Sequence, residues 1–381
     1  MDFSYSEEQT LLSNSLRKLL EDSYDADKRR KIAASERGFS DEAWTRYAEL
    51  GLLGLPLPES AGGFGGTAID TMIASVELGR ALALEPFVAT VVMGAGAIRL
   101  AGSPEQQEAM LPAVAEGKLK LAAALGEPQA RFDLDDVSTT AAKAGADYVL
   151  NGRKAVVLGG DSADKLVVSA RTSGGATDRA GLSLFVVEAS AAGVVRRGYQ
   201  LVDGRGAAEV TLSDVKVPQS ARLGAEGGAW PVIEQVSDLA ISALLGEAIG
   251  AWERINELTL EYLKTRQQFG RTIGQFQVLQ HRMVDLTLEY EHAKSLVYLA
   301  AMEADSTAAS QRGRAIAAAK FFVDDKGRQC GEHAIQMHGG IGMTQEYVLS
   351  DYVKRLAMIS HTLGDSDHHL ARFARASTGK A

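Results

Sequence analysis

The feature that most constrains this chain is a long stretch of helical pattern in its C-terminal half. No proline occurs between Gly270 and Gln336, over about sixty residues, whereas a proline inside a helix removes a hydrogen bond and clashes with the preceding turn. The helical pattern begins near Trp230 and extends to about Arg372. A region of this kind folds by packing long helices on one another, and we predict a four-helix bundle.

Two short motifs flank the proline-free stretch. The first is an R-x-x-F-G sequence that begins at Arg266, and the second is a Q-x-x-G-G sequence that begins at Gln336. A planar guanidinium suits a pyrophosphate because it donates paired hydrogen bonds to adjacent oxygens. Consecutive glycines allow the backbone to approach such a group closely. Each motif is short, and a Gly-Gly pair after a helix is often only a cap and a turn.

Together, at this spacing and with residues 276–280 between them, the two motifs resemble the C-terminal domain of the acyl-CoA dehydrogenase family. Members of that family are flavoproteins that oxidise acyl-CoA thioesters between Cα and Cβ. The resemblance implies that the motifs hold the ADP half of FAD across a subunit interface. It implies cofactor contacts for six residues: Arg266, Phe269, Gln277, Gln336, Gly339 and Gly340.

The remaining sequence predicts an α+β fold that is mostly α. A capping pattern at Ser4 or Ser6 starts the first of several helical segments. After Leu119 the pattern changes to short β-rich runs that are separated by Gly, Asp and Ser turns. This order resembles the acyl-CoA dehydrogenase fold. We predict an N-terminal α-helical domain over residues 1–120, a central antiparallel β domain over residues 121–225, and the C-terminal four-helix bundle over residues 226–381.

Composition argues against several other classes of protein. The net charge of −9 disfavours nucleic acid as a partner, because neutralising phosphates requires surplus Lys and Arg. The single cysteine, Cys330, excludes a disulfide framework, fits the reducing cytoplasm and is expected to pack in the interior. No run of about 18 apolar residues predicts a membrane span, and residues 1–4 do not resemble a targeting segment.

Two neighbouring histidines, His368 and His369, lie close to Asp365 and Asp367. Consecutive residues on a helix point about 100° apart, so both rings rarely bind one ion together with those carboxylates. We therefore predict no metal site at this position.

The family resemblance implies a carboxylate that removes the α-proton of the substrate. In most members a Glu supplies it in a Tyr-Glu-Gly-Thr-Ser sequence, and the matching run here is residues 362–366, with Leu363 in the Glu position. In a minority of members the base lies on the first long helix of the bundle, where this chain has Ala240. Neither position holds a carboxylate.

Two other carboxylates remain candidate catalytic residues. Asp365 lies two positions after Leu363, and Glu247 lies seven residues after Ala240, on the same helix face and roughly 10 Å further along. Each also has a structural interpretation. Asp365, like Asp367, is placed to cap the last helix, and Glu247 is equally a structural or solvated carboxylate.

The positions that the resemblance assigns to the flavin pocket are altered as well. Residues 127–133 occupy the place of the family pattern E-P-G-A-G-S-D. Both glycines of that pattern are replaced here, and Phe132 occupies the position of its Ser. In the pattern N-G-x-K-x-W-I-T, Val156 replaces the Trp that stacks on the flavin, and Leu158 replaces the Thr. Ile241 occupies the position of the Arg beside the helix-borne base.

The residues that serve a neighbouring subunit's FAD are kept, whereas those that serve the chain's own flavin are lost. The resemblance therefore implies one chain of an α2β2 acyl-CoA dehydrogenase tetramer that passes electrons to electron-transfer flavoprotein. The runs at residues 2–9 and 363–370 are similar to heteromeric members that act on dicarboxylic (pimeloyl-type) acyl-CoA, a group akin to those acting on steroid side chains. Two alternatives stay open: a homotetramer that uses Asp365 or Glu247 as its base, and a non-catalytic scaffold subunit.

Overall fold

The computed structural model of the chain describes residues 4–378. Met1, Asp2 and Phe3, at the start of the predicted N-terminal domain, and residues 379–381, at the end of the predicted C-terminal domain, lie outside the described residues.

Helices occupy both ends of the described chain. A π-helix over Val88–Ala95 leads directly into α5. The α-helices are α1 (Glu7–Ser23), α2 (Ala26–Ala33), α3 (Asp41–Glu49), α4 (Ala68–Arg80), α5 (Gly96–Ala101) and α6 (Pro104–Ala115), followed after the strands by α7 (Trp230–Thr265), α8 (Gln277–Ala304), α9 (Ala309–His338), α10 (Leu349–Ser360) and α11 (Ser366–Thr378).

The strands lie between α6 and α7 and form one eight-stranded sheet in the order β6-β7-β3-β2-β4-β5-β8, with β1 beside β4. The strands are β1 (Leu121–Ala124), β2 (Thr140–Ala144), β3 (Asp147–Leu158), β4 (Lys165–Arg171), β5 (Leu182–Glu188), β6 (Val194–Gln200), β7 (Gly206–Pro218) and β8 (Arg222–Leu223). A short hairpin of β9 (Gln267–Gln268) and β10 (Arg271–Thr272) separates α7 from α8.

The predicted fold class, mostly α with a central sheet, is confirmed. Ser6 starts α1 through a capping box with Gln9, as the capping pattern indicated. The sheet needs a correction, because β1 pairs with β4 in parallel, and β2 meets β4 in parallel at one position. The C-terminal helices are three long ones and two shorter ones, since a turn with positive φ at Leu363 and Gly364 separates α10 from α11.

The described chain forms two compact units. The helical unit contains Met1–Lys31, Ala68–Ala83 and Ile241–Ala381, and the sheet unit contains Ile32–Thr67 and Leu84–Ala240. This division differs from the three domains predicted from the sequence, and their boundaries stay a prediction.

In the helical unit, small residues allow α4 and α7 to pack with their backbones in contact. A Cβ atom added at Gly250 would overlap the carbonyl oxygen of Val76, and one added at Gly79 would overlap the backbone of Glu247. Any larger residue at either glycine would push the helices apart. The close packing therefore sets the position of the part of α7 that carries Glu247.

In the sheet unit, a buried ion pair holds the segment after β1 against β3. Lys154 Nζ donates to Glu127 Oε1 at 2.7 Å and to Ser169 Oγ at 2.9 Å, and both charged side chains are almost fully buried. Burial by itself would raise the pKa of Glu127, but the adjacent ammonium and the hydrogen bonds from Thr139 and Gln129 lower it to about 2. The Glu127 carboxylate is therefore charged and satisfied.

We predict that Lys154→Met lowers the free energy of unfolding by about 3–5 kcal/mol, because it leaves the Glu127 carboxylate buried without a counter-ion. Chemical denaturation at neutral pH measures the change. Lys165→Met is the matched control, since Lys165 pairs with a largely exposed Glu188 on the same sheet and should contribute about 0–1 kcal/mol. Equal losses in the two variants would contradict the prediction.

Candidate functional site

The six residues assigned to a cofactor contact all lie in the helical unit and are all exposed. Phe269 is 90% exposed, which is unusual for a large apolar side chain. The side chains of Arg266, Gln277 and Gln336 have no hydrogen-bond or ion-pair partner within residues 4–378. Their donors and acceptors are therefore available to a ligand.

An aromatic stack brings the two motifs together. Tyr262, in the last turns of α7, stacks on His338 at the end of α9 with ring centroids 4.5 Å apart. Arg266 follows Tyr262 by one helical turn, and its backbone N–H donates to the Tyr262 carbonyl. Gly339 directly follows His338. The stack therefore joins the helix end that carries the arginine motif to the helix end that carries the glycine motif, although about sixty-five residues separate the two motifs in the sequence.

Hydrogen bonds fix the orientation of the His338 ring. Its Nδ1 lies 2.8 Å from the Ala334 carbonyl oxygen and its Nε2 lies 3.3 Å from the Tyr347 hydroxyl. Burial lowers the pKa of His338, so the ring is neutral near pH 7. A neutral ring donates from Nδ1 to the carbonyl and accepts from Tyr347 at Nε2. His338 thus supports the stack and is not placed as a catalytic group.

The hairpin after α7 turns the chain back towards α8. Phe269 and Gly270 have φ angles of +54° and +74°, which form the tight turn between β9 and β10. Phe269 meets Phe276 edge-on at 6.2 Å, and the Arg271 guanidinium lies 4.3 Å from the Phe276 ring centre. Gln277 then begins α8, whose N-terminus has no side-chain cap. Uncapped N–H groups at a helix start favour an anion.

The glycine pair leaves an open surface at the end of α9. Gly339 has a φ angle of +65° and a ψ angle of −141°, a conformation that is essentially restricted to glycine. A Cβ atom added at Gly339 or Gly340 would meet nothing within 4 Å. The backbone conformation therefore accounts for glycine at position 339, whereas packing within the chain does not require either glycine and leaves the surface open to a ligand. The exposed guanidinium, amides and glycines together fit the diphosphate half of a dinucleotide.

Glu247 is held in a buried ion pair. Its Oε2 accepts hydrogen bonds from Arg355 Nη2 at 2.8 Å and Nε at 3.1 Å. The two side chains are 4% and 5% exposed. A base must reach a proton on a substrate, but this carboxylate is enclosed and already neutralised by a guanidinium. The geometry thus favours the structural interpretation of Glu247.

Asp365 begins the last helix. Its Oδ1 accepts the backbone N–H of His368 at 2.9 Å, and its carbonyl oxygen accepts the N–H of His369 at 3.0 Å. These are the contacts of an N-cap residue, so the structure favours the capping interpretation. Leu363, in the position of the family Glu, has a φ angle of +56° and presents only an aliphatic side chain.

Buried polar groups that the sequence did not reveal support this turn. Lys320 Nζ donates to Asp324 Oδ2 at 2.6 Å, to the Ile359 carbonyl at 2.9 Å and to the Gly364 carbonyl at 3.0 Å. His369 Nε2 lies 3.0 Å from the Leu363 carbonyl oxygen. The sequence indicated this cluster only through Lys320 and Asp324, which lie four residues apart on a helix. That spacing is typical of an exposed ion pair and does not predict burial.

Burial controls the charges in this cluster. It lowers the pKa of Lys320 and raises the pKa of Asp324 to about 7, although each group favours the charged form of the other. Burial also lowers the pKa of His369 to about 2, and nearby Lys320 adds to this effect. His369 is therefore neutral and donates from Nε2. The cluster holds the turn in position, and none of its side chains replaces the missing Glu.

In the sheet unit, Glu127 fixes the altered segment over residues 127–133. Its carboxylate accepts hydrogen bonds from the backbone N–H groups of Ser138 and Thr139.

Val156 has a φ angle of +50° and is 52% exposed. Positive φ is strained for a β-branched residue, and it coincides with a shift in the register between β3 and β7, while the side chain offers no aromatic surface. Phe132 likewise offers no hydroxyl. These residues do not fit the contacts that the resemblance implies for a flavin ring.

Cys330 is fully buried, with Sγ 3.8 Å from Asn256 Oδ1, as expected for a packing role. Across residues 4–378, His, Cys, Asp and Glu side chains form no cluster of three or more that is suited to a metal ion. No helix in the same range has the length and apolar character needed to cross a membrane.

Comparison with known families agrees with the sequence motifs. Three family models together match most of the chain: the acyl-CoA dehydrogenase N-terminal domain over residues 6–118, the middle domain over residues 122–215, and the C-terminal domain over residues 230–378.

Individual relatives are similar over most of their length. Caffeyl-CoA reductase-Etf complex subunit CarC of Acetobacterium woodii is 31% identical over 318 residues, which are 81% of this chain and 82% of that protein. The solved Tcur3481-Tcur3483 steroid ACAD is 31% identical, with a TM-score of 0.87 and 98% of both chains covered. The ChsE4-ChsE5 complex from Mycobacterium tuberculosis is 26% identical, with a TM-score of 0.90 and 99% of both chains covered. The chain belongs to the acyl-CoA dehydrogenase family, whose members bind FAD and oxidise the CH–CH group of acyl-CoA thioesters.

Proposed function

We propose that this chain is one subunit of a heteromeric acyl-CoA dehydrogenase that desaturates an acyl-CoA thioester between its α- and β-carbons. In this proposal the chain binds the ADP part of an FAD whose flavin ring is held by a partner subunit. One observation carries the proposal: the exposed polar side chains of the clamp have no partner within residues 4–378, whereas both candidate bases are engaged in structural contacts. The clamp consists of Arg266, Phe269, Gln277, Gln336, Gly339 and Gly340.

The clamp has the chemistry that a diphosphate requires. The Arg266 guanidinium supplies charge and paired donors, and the open backbone at Gly339 and Gly340 lets the ligand lie close to the end of α9. The amides of Gln277 and Gln336 supply further polar contacts. Phe269, which is 90% exposed, offers an apolar surface to a partner subunit or to the adenine.

The chain does not supply a base in the positions known for the family. Leu363 and Ala240 carry no titratable group, Glu247 is neutralised by Arg355, and Asp365 caps α11. When bound, FAD accepts the hydride from the β-carbon of the substrate. A carboxylate of the partner subunit must then remove the α-proton. In this proposal, two copies of each subunit form an α2β2 tetramer.

The names of the relatives support a role within a complex. CarC is named as a subunit of a reductase-Etf complex, and ChsE4-ChsE5 is named as a complex of two components. We therefore include electron-transfer flavoprotein as the electron acceptor and a second acyl-CoA dehydrogenase chain as the partner. We also propose a cytoplasmic location, which the single, fully buried cysteine supports.

The central test is to purify the chain alone and together with its partner. We expect the chain alone to carry much less than one FAD per subunit and to have no acyl-CoA turnover, because it lacks a base and the usual ring contacts. The complex should carry FAD and turn over. Visible flavin absorbance and a dye-coupled dehydrogenase assay measure the two properties. A homotetramer that is saturated with FAD and active by itself would exclude the heteromeric proposal.

Arg266→Ala should weaken FAD binding by the complex about tenfold or more, because it removes charge-assisted hydrogen bonds to phosphate. FAD titration after removal of the cofactor measures the loss. Arg375→Ala is the control, since Arg375 is also exposed, on α11, and makes no ion pair within the described chain. If the two variants bound FAD equally well, a scaffold role would gain support.

Asp365→Asn and Glu247→Gln should each leave the kcat of the complex within about twofold of the parent, because neither carboxylate removes the proton. Asparagine keeps the cap on α11, so Asp365→Asn should also fold normally. Initial rates at saturating acyl-CoA, with thermal unfolding as a check, measure the effects. A loss of about 10²-fold or more in one correctly folded variant would identify that residue as the base.

A further inference from the structure

The helical unit contains a cavity of about 430 Å³ between α1, α4, α7 and α8. Its volume lies in the range of small-molecule sites. None of the clamp residues lines it. Four apolar side chains contribute to its lining, and they are Met72, Val76, Ile249 and Val297.

One carboxylate of the lining, Glu77, is fully satisfied by neighbours. Arg17 donates to Glu77 Oε2 from Nε at 2.9 Å and to Oε1 from Nη2 at 2.8 Å, and Ser13 Oγ donates to Oε1 at 2.8 Å. The Glu77 side chain is 3% exposed. This paired, hydrogen-bonded arrangement leaves no negative charge for a cationic ligand.

The other acidic group of the lining, Glu253, pairs with Arg80. Arg80 also contacts Glu257, which in turn pairs with Arg254. Counting Glu77 and Arg17, three carboxylates are therefore balanced by three guanidinium groups around the cavity. The local net charge from these six groups is zero.

Lys294 is the remaining charged residue of the lining. It is half-buried on α8, and its ammonium lies 5.8 Å from the ring centre of Tyr290. No carboxylate within residues 4–378 forms an ion pair with it. Lys294 is therefore a charged side chain of the lining that has no ion-pair partner within residues 4–378, and an unpaired ammonium favours an anion.

Two phenol hydroxyls are also free to donate into the cavity. Tyr290 is 7% exposed, and its hydroxyl has no hydrogen-bond partner within the described chain. The Tyr298 hydroxyl donates to that of Tyr5 at 2.9 Å, which leaves the Tyr5 proton without an acceptor in residues 4–378. Burial raises the pKa of Tyr5, Tyr290 and Tyr298, so all three stay protonated near pH 7.

We propose that this cavity binds a small organic carboxylate with an apolar body, at a site separate from the FAD clamp. The carboxylate accepts hydrogen bonds from Lys294 Nζ, Tyr290 Oη and Tyr5 Oη, and the apolar body packs on the four apolar side chains. A monoanion matches the single unpaired ammonium of Lys294. A phosphate dianion would bring a second negative charge close to Glu77 and Glu253, and an amine would find no unpaired carboxylate. The inference does not rest on the proposed heteromeric function.

Octanoate is a suitable probe, with octylammonium as the charge-reversed control. Isothermal titration calorimetry on the purified full-length chain, alone or in its complex, should show binding of octanoate and none of octylammonium. Lys294→Met keeps the aliphatic stem and should weaken octanoate binding about tenfold or more, since it removes a charged donor. Tyr290→Phe removes one neutral donor and should weaken binding about three- to tenfold.

Lys18→Met is the matched control, because Lys18 is exposed on α1 and does not line the cavity. This variant should bind octanoate as the parent does. Thermal unfolding of all variants checks that they are folded. No octanoate binding, equal binding of octylammonium, or binding that Lys294→Met and Tyr290→Phe leave unchanged would each overturn the proposal. A protein that binds octanoate as expected but fails to bind FAD would count against the clamp and not against this cavity.

Discussion

The stacking of Tyr262 on His338 is the contact on which the functional surface of the helical unit depends. It joins the end of α7 to the end of α9, and each end carries one half of the clamp. Burial keeps His338 neutral, so the ring stacks without the cost of an enclosed charge. With the two helix ends joined by this stack, Arg266 and the Gly339–Gly340 pair stay exposed, outside the packed core.

Charged groups in this protein fall into two classes according to whether the chain satisfies them. Glu247 with Arg355 and Glu127 with Lys154 are buried and paired. Such pairs specify packing, because breaking one leaves an uncompensated buried charge. Arg266 and Lys294 lack ion-pair partners within the described chain; Arg266 is exposed after the end of α7, and Lys294 borders a cavity. The functional proposals rest on this second class.

Much of the fold was predictable from the sequence, because helical periodicity, turn residues and capping patterns are local. The capping box at Ser6 and the helical C-terminal region were found in this way. The parallel pairing of β1 with β4 was not, since strand direction depends on how the chain crosses the sheet and leaves no local signal. The start of α11, in contrast, was indicated locally, because Asp365 follows a glycine and is placed to cap the last helix, and its side chain caps α11 in the structure.

The sequence by itself determined the family and the absence of a carboxylate at Leu363 and Ala240, because these depend only on which side chain occupies a motif position. It also predicted the clamp residues in the same way. Only the tertiary structure decided what the remaining carboxylates do. Glu247 meets an arginine 108 residues away, and that contact shows why a carboxylate on the expected helix face is not free. The cavity around Lys294 is likewise a product of four packed helices. Pairing and enclosure are long-range properties, so no local pattern encodes them.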